Sequence, residues 1–205
     1  MTREYRPSTA LIVVDMQHDF ADPSGSLYVR GAEHIVAPVT AEIRAARAAE
    51  ATVVFTQDWH PAHTPHFVID GGIWPVHCVM GTPGAEFVPD LDPDGAPEPV
   101  VRKGSGPEDG YSGFSVRNLT TDRTKDTELS AILDENGVMD VVVVGLAGDY
   151  CVKETGIDGV RHGFAVEVPL ALTRFVELSA GDTVRAVLAM RDAGVEVTDD
   201  GDRAG

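Results

Sequence analysis

Four residues with chemical reach stand where apolar runs end. Asp15 follows Leu11-Ile12-Val13-Val14, Asp58 lies just beyond Thr52-Val53-Val54-Phe55, and Lys103 follows Val100-Val101. Cys151 comes after Val141 to Val144, across the small-residue turn Gly145-Leu146-Ala147-Gly148-Asp149-Tyr150. A thiol, a carboxylate and an ammonium are what an amide-cleaving cysteine enzyme without a histidine base needs. The turn also brings backbone N–H groups that can hold an oxyanion. With Asp149 as its cap, the following helix would carry Cys151 in its first turn, where the dipole favours thiolate. Singly, each residue has a blander use: a buried structural cysteine, a surface lysine, a loop carboxylate. Their repetition at the ends of different apolar runs is what singles them out.

A second cluster is imidazole-rich. Asp58-Trp59-His60 is followed by His63, His66 and His77. On an extended segment, positions i and i+2 face the same side, so Asp58 and His60 can hold one ion together. Imidazole and carboxylate ligands suit Zn²⁺, Fe²⁺ or Mn²⁺. A D-x-H pair is common by chance, and a polar loop with surface histidines is the plain alternative; the further His behind Trp74-Pro75 adds weight to a metal site. Cys78, next to His77, is a soft ligand or, more commonly, a packed bystander. His18, His34 and His162 have no partners in sequence and read as surface groups.

These residues need elements to position them. The four strong apolar runs lack alternation, as in strands buried on both faces, and weaker strands follow at Phe164 to Val168 and Val195 to Thr198. Helical spacing covers Ala32 to Ala49, where Pro38 leaves the start unsettled, then Glu128 to Asn136, Tyr150 to His162 and Gly181 to Ala193. Strand–helix alternation predicts a three-layer α/β/α fold with a mostly parallel, six-stranded sheet. In such a sheet the carboxyl ends of the strands line the ligand crevice, so Asp15, Asp58, Lys103 and Cys151 should converge on one edge. Residues 61–99 are too Pro- and Gly-rich and too long for an ordinary loop, and such loops are usually functional or disordered. The 205 residues predict one domain, 1–205, with a long metal and substrate loop over about 58–99.

Composition narrows the partners. Sixteen Lys and Arg against 33 Asp and Glu give a formal charge of −17, which repels phosphate backbones and argues against nucleic acid. Acid is densest at Asp199-Asp200-Gly201-Asp202 and from Asp90 to Glu98, and reads as solvated surface charge. No apolar run reaches the length of a membrane span, and no apolar segment of a signal peptide follows Met1 to Arg6. Two cysteines suit a reducing, cytoplasmic setting.

Taken together, the stretches ALIVVDMQHDF with GSL, TQDWHP then HF, WPVHCVMGTPGAEF, RKG with YSGF, and GLAGDYCV resemble the nicotinamidases (pyrazinamidases) of the isochorismatase-like cysteine hydrolases. The resemblance runs from residue 10 to 152, and the helix–strand pattern continues to about Thr198. It implies Asp15, Lys103 and Cys151 as a catalytic triad, and Asp58, His60 and His77 as ligands of one divalent metal ion, zinc first, with iron or manganese as alternatives. Some family members add a His before a loop Phe; His66 before Phe67 is the nearest match, with His63 competing. Phe20 and Trp74 fall where the family sandwiches a pyridine ring, with Tyr111 nearby. The family also has a cis peptide before the residue matching Ala147, whose N–H joins that of Cys151 in the oxyanion hole. The implied activity is hydrolysis of nicotinamide to nicotinate and ammonia through a thioester, in NAD salvage. Three departures stand out: Gly148 where the family turn commonly reads Ala-Thr-Asp, Leu170-Ala171-Leu172 where Asp-Ala-Cys is frequent, and an expanded stretch from Arg117 to Asp126. A hydrolase of another small amide or carbamoyl compound, and a catalytically silent binding protein of this fold, both stay open, as does a homo-oligomer.

Overall fold

The structure is a computed structural model that describes residues 3–89, 91, 98–106, 108–118 and 121–199. Most of the acidic stretch between 90 and 98, and the tail beyond Asp199, lie outside the described residues.

Six β-branched-rich segments form the strands of one sheet. They are β1 (Thr9–Val14), β2 (Thr52–Asp58), β3 (Val100–Lys103), β7 (Asp140–Leu146), β8 (Ala165–Pro169) and β10 (Glu196–Thr198), in the order β10-β8-β7-β1-β2-β3. All their pairings are parallel. A short β9 (Thr173–Arg174) takes over as the neighbour of β7 beyond the end of β8, pairing Gly145 with Thr173 and Leu146 with Arg174. The sheet is thus the six expected strands plus one.

The helices are α1 (His18–Ala21), α2 (Glu33–Ala48), α3 (Leu129–Glu135), α4 (Cys151–Arg161) and α5 (Asp182–Asp192). Pro38 stands inside α2, which runs through it. Successive strand residues point to opposite faces, and the core divides accordingly. Leu11, Val13, Val53 and Val144 pack with Ile35, Val39 and Ile43 of α2 on one face. Ile12, Val14, Val54 and Val143 pack with Leu129 and Leu133 of α3, Val152 and Ile157 of α4 and Met190 of α5 on the other. Three layers result.

One part of the fold was not anticipated. Within residues 108–126, β4 (Glu108–Asp109), β5 (Ser115–Asn118) and β6 (Thr124–Asp126) form a separate antiparallel sheet. These strands are two to four residues long, and β6 is exposed throughout, so no apolar period marks it. The expanded stretch from Arg117 to Asp126 belongs here. Among the described residues, no helix is long and apolar enough to cross a membrane.

Candidate active site

The parallel order β7-β1-β2-β3 sets the reactive groups in a row at the carboxyl ends of four strands. Asp15 follows β1 with its backbone in the left-handed region, φ 48°. Its N–H donates to the Thr56 carbonyl, and its Oδ1 accepts from Thr56 Oγ1 at 2.6 Å. Asp58 and Lys103 end β2 and β3 and are register partners. Cys151 opens α4, beyond β7. All four side chains are buried. Lys103 joins them: its Nζ donates to Asp15 Oδ2 at 2.7 Å and Asp58 Oδ1 at 2.5 Å, and lies 3.5 Å from Cys151 Sγ.

One ammonium between two buried carboxylates leaves a net negative cluster, which adds to the effect of burial on the thiol. Burial pushes the Cys151 thiol well above its usual range; Lys103 pulls it down, and Asp15 and Asp58 push it up again. Burial also raises Asp15 against the pull of Lys103. For Asp58, burial opposes the charge, but Lys103, His60 and His77 outweigh it and its pKa falls below the usual carboxylate range. Burial likewise opposes the Lys103 ammonium, and the two carboxylates outweigh burial, so it stays charged. The helix dipole and the cation favour a thiolate; burial, the largest effect, together with Asp15 and Asp58, outweighs them and keeps the Cys151 thiol protonated at neutral pH.

Chelator-treated protein should therefore be alkylated at Cys151 with a rate that climbs about tenfold per pH unit from pH 7 to 9. Cys78, fully buried and also raised by burial, should label more slowly. Mass spectrometry after brief iodoacetamide exposure checks both. A rate already level at pH 7 would mean a thiolate at rest.

The histidines gather beside this row. His60 N–H donates to the Cys78 carbonyl and Met80 N–H to the His60 carbonyl, which brings His77 alongside His60. Trp74 N–H donates to the His66 carbonyl and Val68 N–H to the Trp74 carbonyl, which folds His66 and Trp74 onto the same spot. His60, His66 and His77 each offer a ring nitrogen within 4.8 Å of the others. Asp58 Oδ2 lies 3.6 Å from His60 Nε2 and 3.9 Å from His77 Nε2. His77 Nδ1 is 2.7 Å from the Pro75 carbonyl, which can only accept, so Nδ1 carries the proton and Nε2 presents its lone pair. Burial, opposed by Asp58, lowers His77 to about 4. Gly104 makes room: a Cβ there would stand 2.4 Å from the His60 ring. His63 is exposed and faces Asp70. Cys78 packs in the core beneath α2, with its N–H on Asp19 Oδ2.

One pocket joins the two clusters. Phe20, Trp74, Tyr111 and Ala147 line it together with Asp58, His66, His77 and Cys151. Trp74 Nε1 donates to Tyr111 Oη at 3.0 Å, and Tyr150 meets both rings edge-on. The Leu146–Ala147 peptide is cis. Tyr150 and Val176 also line the pocket and carry no sequence signal beyond proximity to Cys151 in one case. Gln17 was missed as well. Its amide donates to the Asp58 carbonyl at 2.7 Å and the Ala85 carbonyl at 2.8 Å, and its Oε1 accepts the Asp58 N–H. It thus fixes the backbone under the shared carboxylate, and its only hint was its place two residues after Asp15. Asp149 does not cap α4. That position belongs to Tyr150, with no side-chain bond, while Asp149 accepts the N–H groups of Val176 and Glu177.

The sequence profile of the isochorismatase domain matches residues 9–200. This chain belongs to the isochorismatase family. Within that family, the nicotinamidase/pyrazinamidase of Mycobacterium tuberculosis is 40% identical over 193 residues, 92% of this chain and 97% of that protein. The pyrazinamidase of Pyrococcus horikoshii, solved in complex with zinc, is 38% identical with a TM-score of 0.82, covering 94% of this chain and 99% of the other. PnC1 of L. infantum, solved in complex with nicotinate, is 32% identical with a TM-score of 0.85 over 98% of each chain.

Proposed function

We propose that this isochorismatase-family chain is a nicotinamidase, cleaving the carboxamide of nicotinamide, and of pyrazinamide, to the carboxylate and ammonia. The observation that carries this is the shared pocket: Cys151 of the Asp15–Lys103–Cys151 cluster opens on the same space as His66 and His77 of the three-histidine cluster. Relatives bearing that name span most of the chain.

The chemistry follows from the burial and the distances. Asp15, made more basic by burial, takes the Cys151 proton as sulfur attacks the carboxamide carbon. The N–H groups of Ala147 and Cys151 hold the oxyanion; among the described residues neither donates a backbone hydrogen bond. The C–N bond breaks, and Asp15 returns the proton to the departing ammonia. Water then adds to the thioester as Asp15 takes its proton; the C–S bond breaks, Asp15 returns the proton to the Cys151 sulfur, and the acid is released. Lys103 holds the Asp15 carboxylate in place and offsets its charge throughout. Phe20 and Trp74 flank the substrate ring, with Tyr111 fixing the indole.

A divalent ion, zinc ahead of iron or manganese, suits the histidine end. The fit is in the donor set: His77 Nε2 presents a lone pair, Asp58 is held ionised, and His60 and His66 complete a buried N/O cluster. Such an ion supplies a Lewis-acid position for a ring nitrogen. We assign Asp58, His60, His66 and His77 as its ligands. His60→Ala and His77→Ala should each weaken metal retention by at least about tenfold. Elemental analysis after dialysis tests this, and full metal content in both variants would remove the site.

We further assign the whole chain, 1–205, to one functional unit in the cytoplasm, where two free thiols persist. Ammonia release from a small amide panel, with and without prior chelation, tests the activity. Turnover confined to a non-pyridine amide would replace nicotinamide with that compound, and no turnover at all would leave a binding protein.

A further inference from the structure

Gly148 sits between the two proposed oxyanion donors, Ala147 and Cys151, and its glycine is not there for conformational freedom. Its φ lies outside the left-handed region, so the backbone admits any L-residue. What excludes a side chain is the ring of Phe175: a Cβ at Gly148 would lie 2.5 Å from the ring's Cε1 and 2.6 Å from its Cζ. Three bonds hold the backbone on either side of Phe175. Gly148 N–H donates to the Arg174 carbonyl at 2.7 Å, and the Asp149 carboxylate accepts Val176 N–H at 3.0 Å and Glu177 N–H at 2.8 Å. Residues 174–177 are therefore stitched along the turn on both sides of the phenyl ring, and β9 anchors their start against β7.

We infer that Gly148 and Phe175 form a matched pair in which the phenyl ring clamps the turn carrying the oxyanion donors, so that Phe175 is a positioning residue for amide cleavage. The inference rests on the nicotinamidase reading. A glycine between two donors that must point at one oxygen is the most mobile residue the turn could hold. The ring laid on its Cα removes that freedom without occupying the pocket, which Val176 lines instead. A threonine at 148 would supply its own stiffness through a β-branched side chain, but only where the ring is absent.

A double-mutant cycle tests the pairing. Phe175→Ala and Gly148→Thr should each lower kcat about tenfold, well short of losing an oxyanion donor outright, and leave KM within about twofold. The double variant Gly148→Thr/Phe175→Ala should return to within about threefold of wild-type kcat, because the new side chain fills the vacated space. Pyridine-3-carboxaldehyde, whose thiol adduct places an oxyanion at the same donors, should lose affinity in each single variant, while nicotinate affinity should not change. Phe175→Leu, which keeps apolar bulk, should fall between wild type and Phe175→Ala, and it stands in for the alanine variant should that fail to fold. Losses that multiply in the double variant, singles that match wild type, or a rise in KM at constant kcat would each overturn the pairing. Wild type inactive on nicotinamide would instead overturn the substrate, and the cycle would then be run on whichever amide it cleaves.

Discussion

Replacing Cys151 with alanine should lower nicotinamide hydrolysis by at least about 10⁴-fold while leaving the fold intact. Among the described residues, Cys151 carries the one thiol that both lines the pocket and lies against Lys103, so no other side chain there can form the thioester. The lost sulfur leaves Lys103 with both carboxylate partners, so no charge is orphaned. Metal content should stay at the wild-type level, since the histidine cluster does not include Cys151. Cys78→Ala is the control. Cys78 is fully buried in the core beneath α2, and its removal should reduce stability modestly and keep most of the activity. Reversed outcomes in the two variants would exchange their roles.

The second large effect concerns the substrate ring. Nicotinamide should exceed benzamide in kcat/KM by at least about 10²-fold. The pocket is apolar and aromatic along Phe20, Leu27, Val29 and Trp74, and polar at one end, where Asp58, His66 and His77 stand. Cys151 and Ala147 line the same pocket, and in the proposed mechanism they fix where the carboxamide sits. The polar end therefore measures how far a ring nitrogen lies from the carboxamide. Nicotinamide and pyrazinamide both place a nitrogen meta to the carboxamide-bearing carbon. Picolinamide carries it one position too close, and benzamide lacks it, leaving the polar end facing carbon. Stacking is similar for all four rings and cannot separate them. A site built for a polar partner rejects an analogue lacking it by up to roughly 10⁴-fold, against about 10² for an apolar slot. Steady-state ammonia release from the four amides decides it; equal values for nicotinamide and benzamide would mean that the ring nitrogen is not read.

Much of this molecule was legible along the chain because it depends on near neighbours in sequence. Val141 to Val144 is β-branched and apolar without alternation, and it forms a strand buried on both faces. Gly137 and Gly194 stop α3 and α5 from the left-handed region, where glycine is favoured. Asp15, Asp58 and Lys103 fall at strand ends, and a parallel sheet brings strand ends to one edge wherever it forms. The convergence of those groups with Cys151 needed only the order of elements.

Other features depend on contacts that sequence spacing does not carry. His66 and His63 compete along the chain, with His66 favoured only by the Phe67 that follows it, and the pairing of residues 66–68 with Trp74 turns it inward while His63 faces Asp70. Asp149 has the sequence of a helix cap, yet the loop after β9 offers it two N–H groups. The resting protonation of Cys151 is set first by its burial and then by Lys103, Asp15 and Asp58, the last a carboxylate 93 positions away that shares Lys103 with the thiol. Gly148 stands out in the sequence only as a departure from the family turn, and the Phe175 ring occupies the space a side chain there would need. Strand, helix and turn follow from residues that are neighbours along the chain, so a one-dimensional pattern is enough to determine them. Ionisation, ligand choice and the packing of a turn are settled by groups that meet only through space, and those meetings exist once the sheet has set the chain's path.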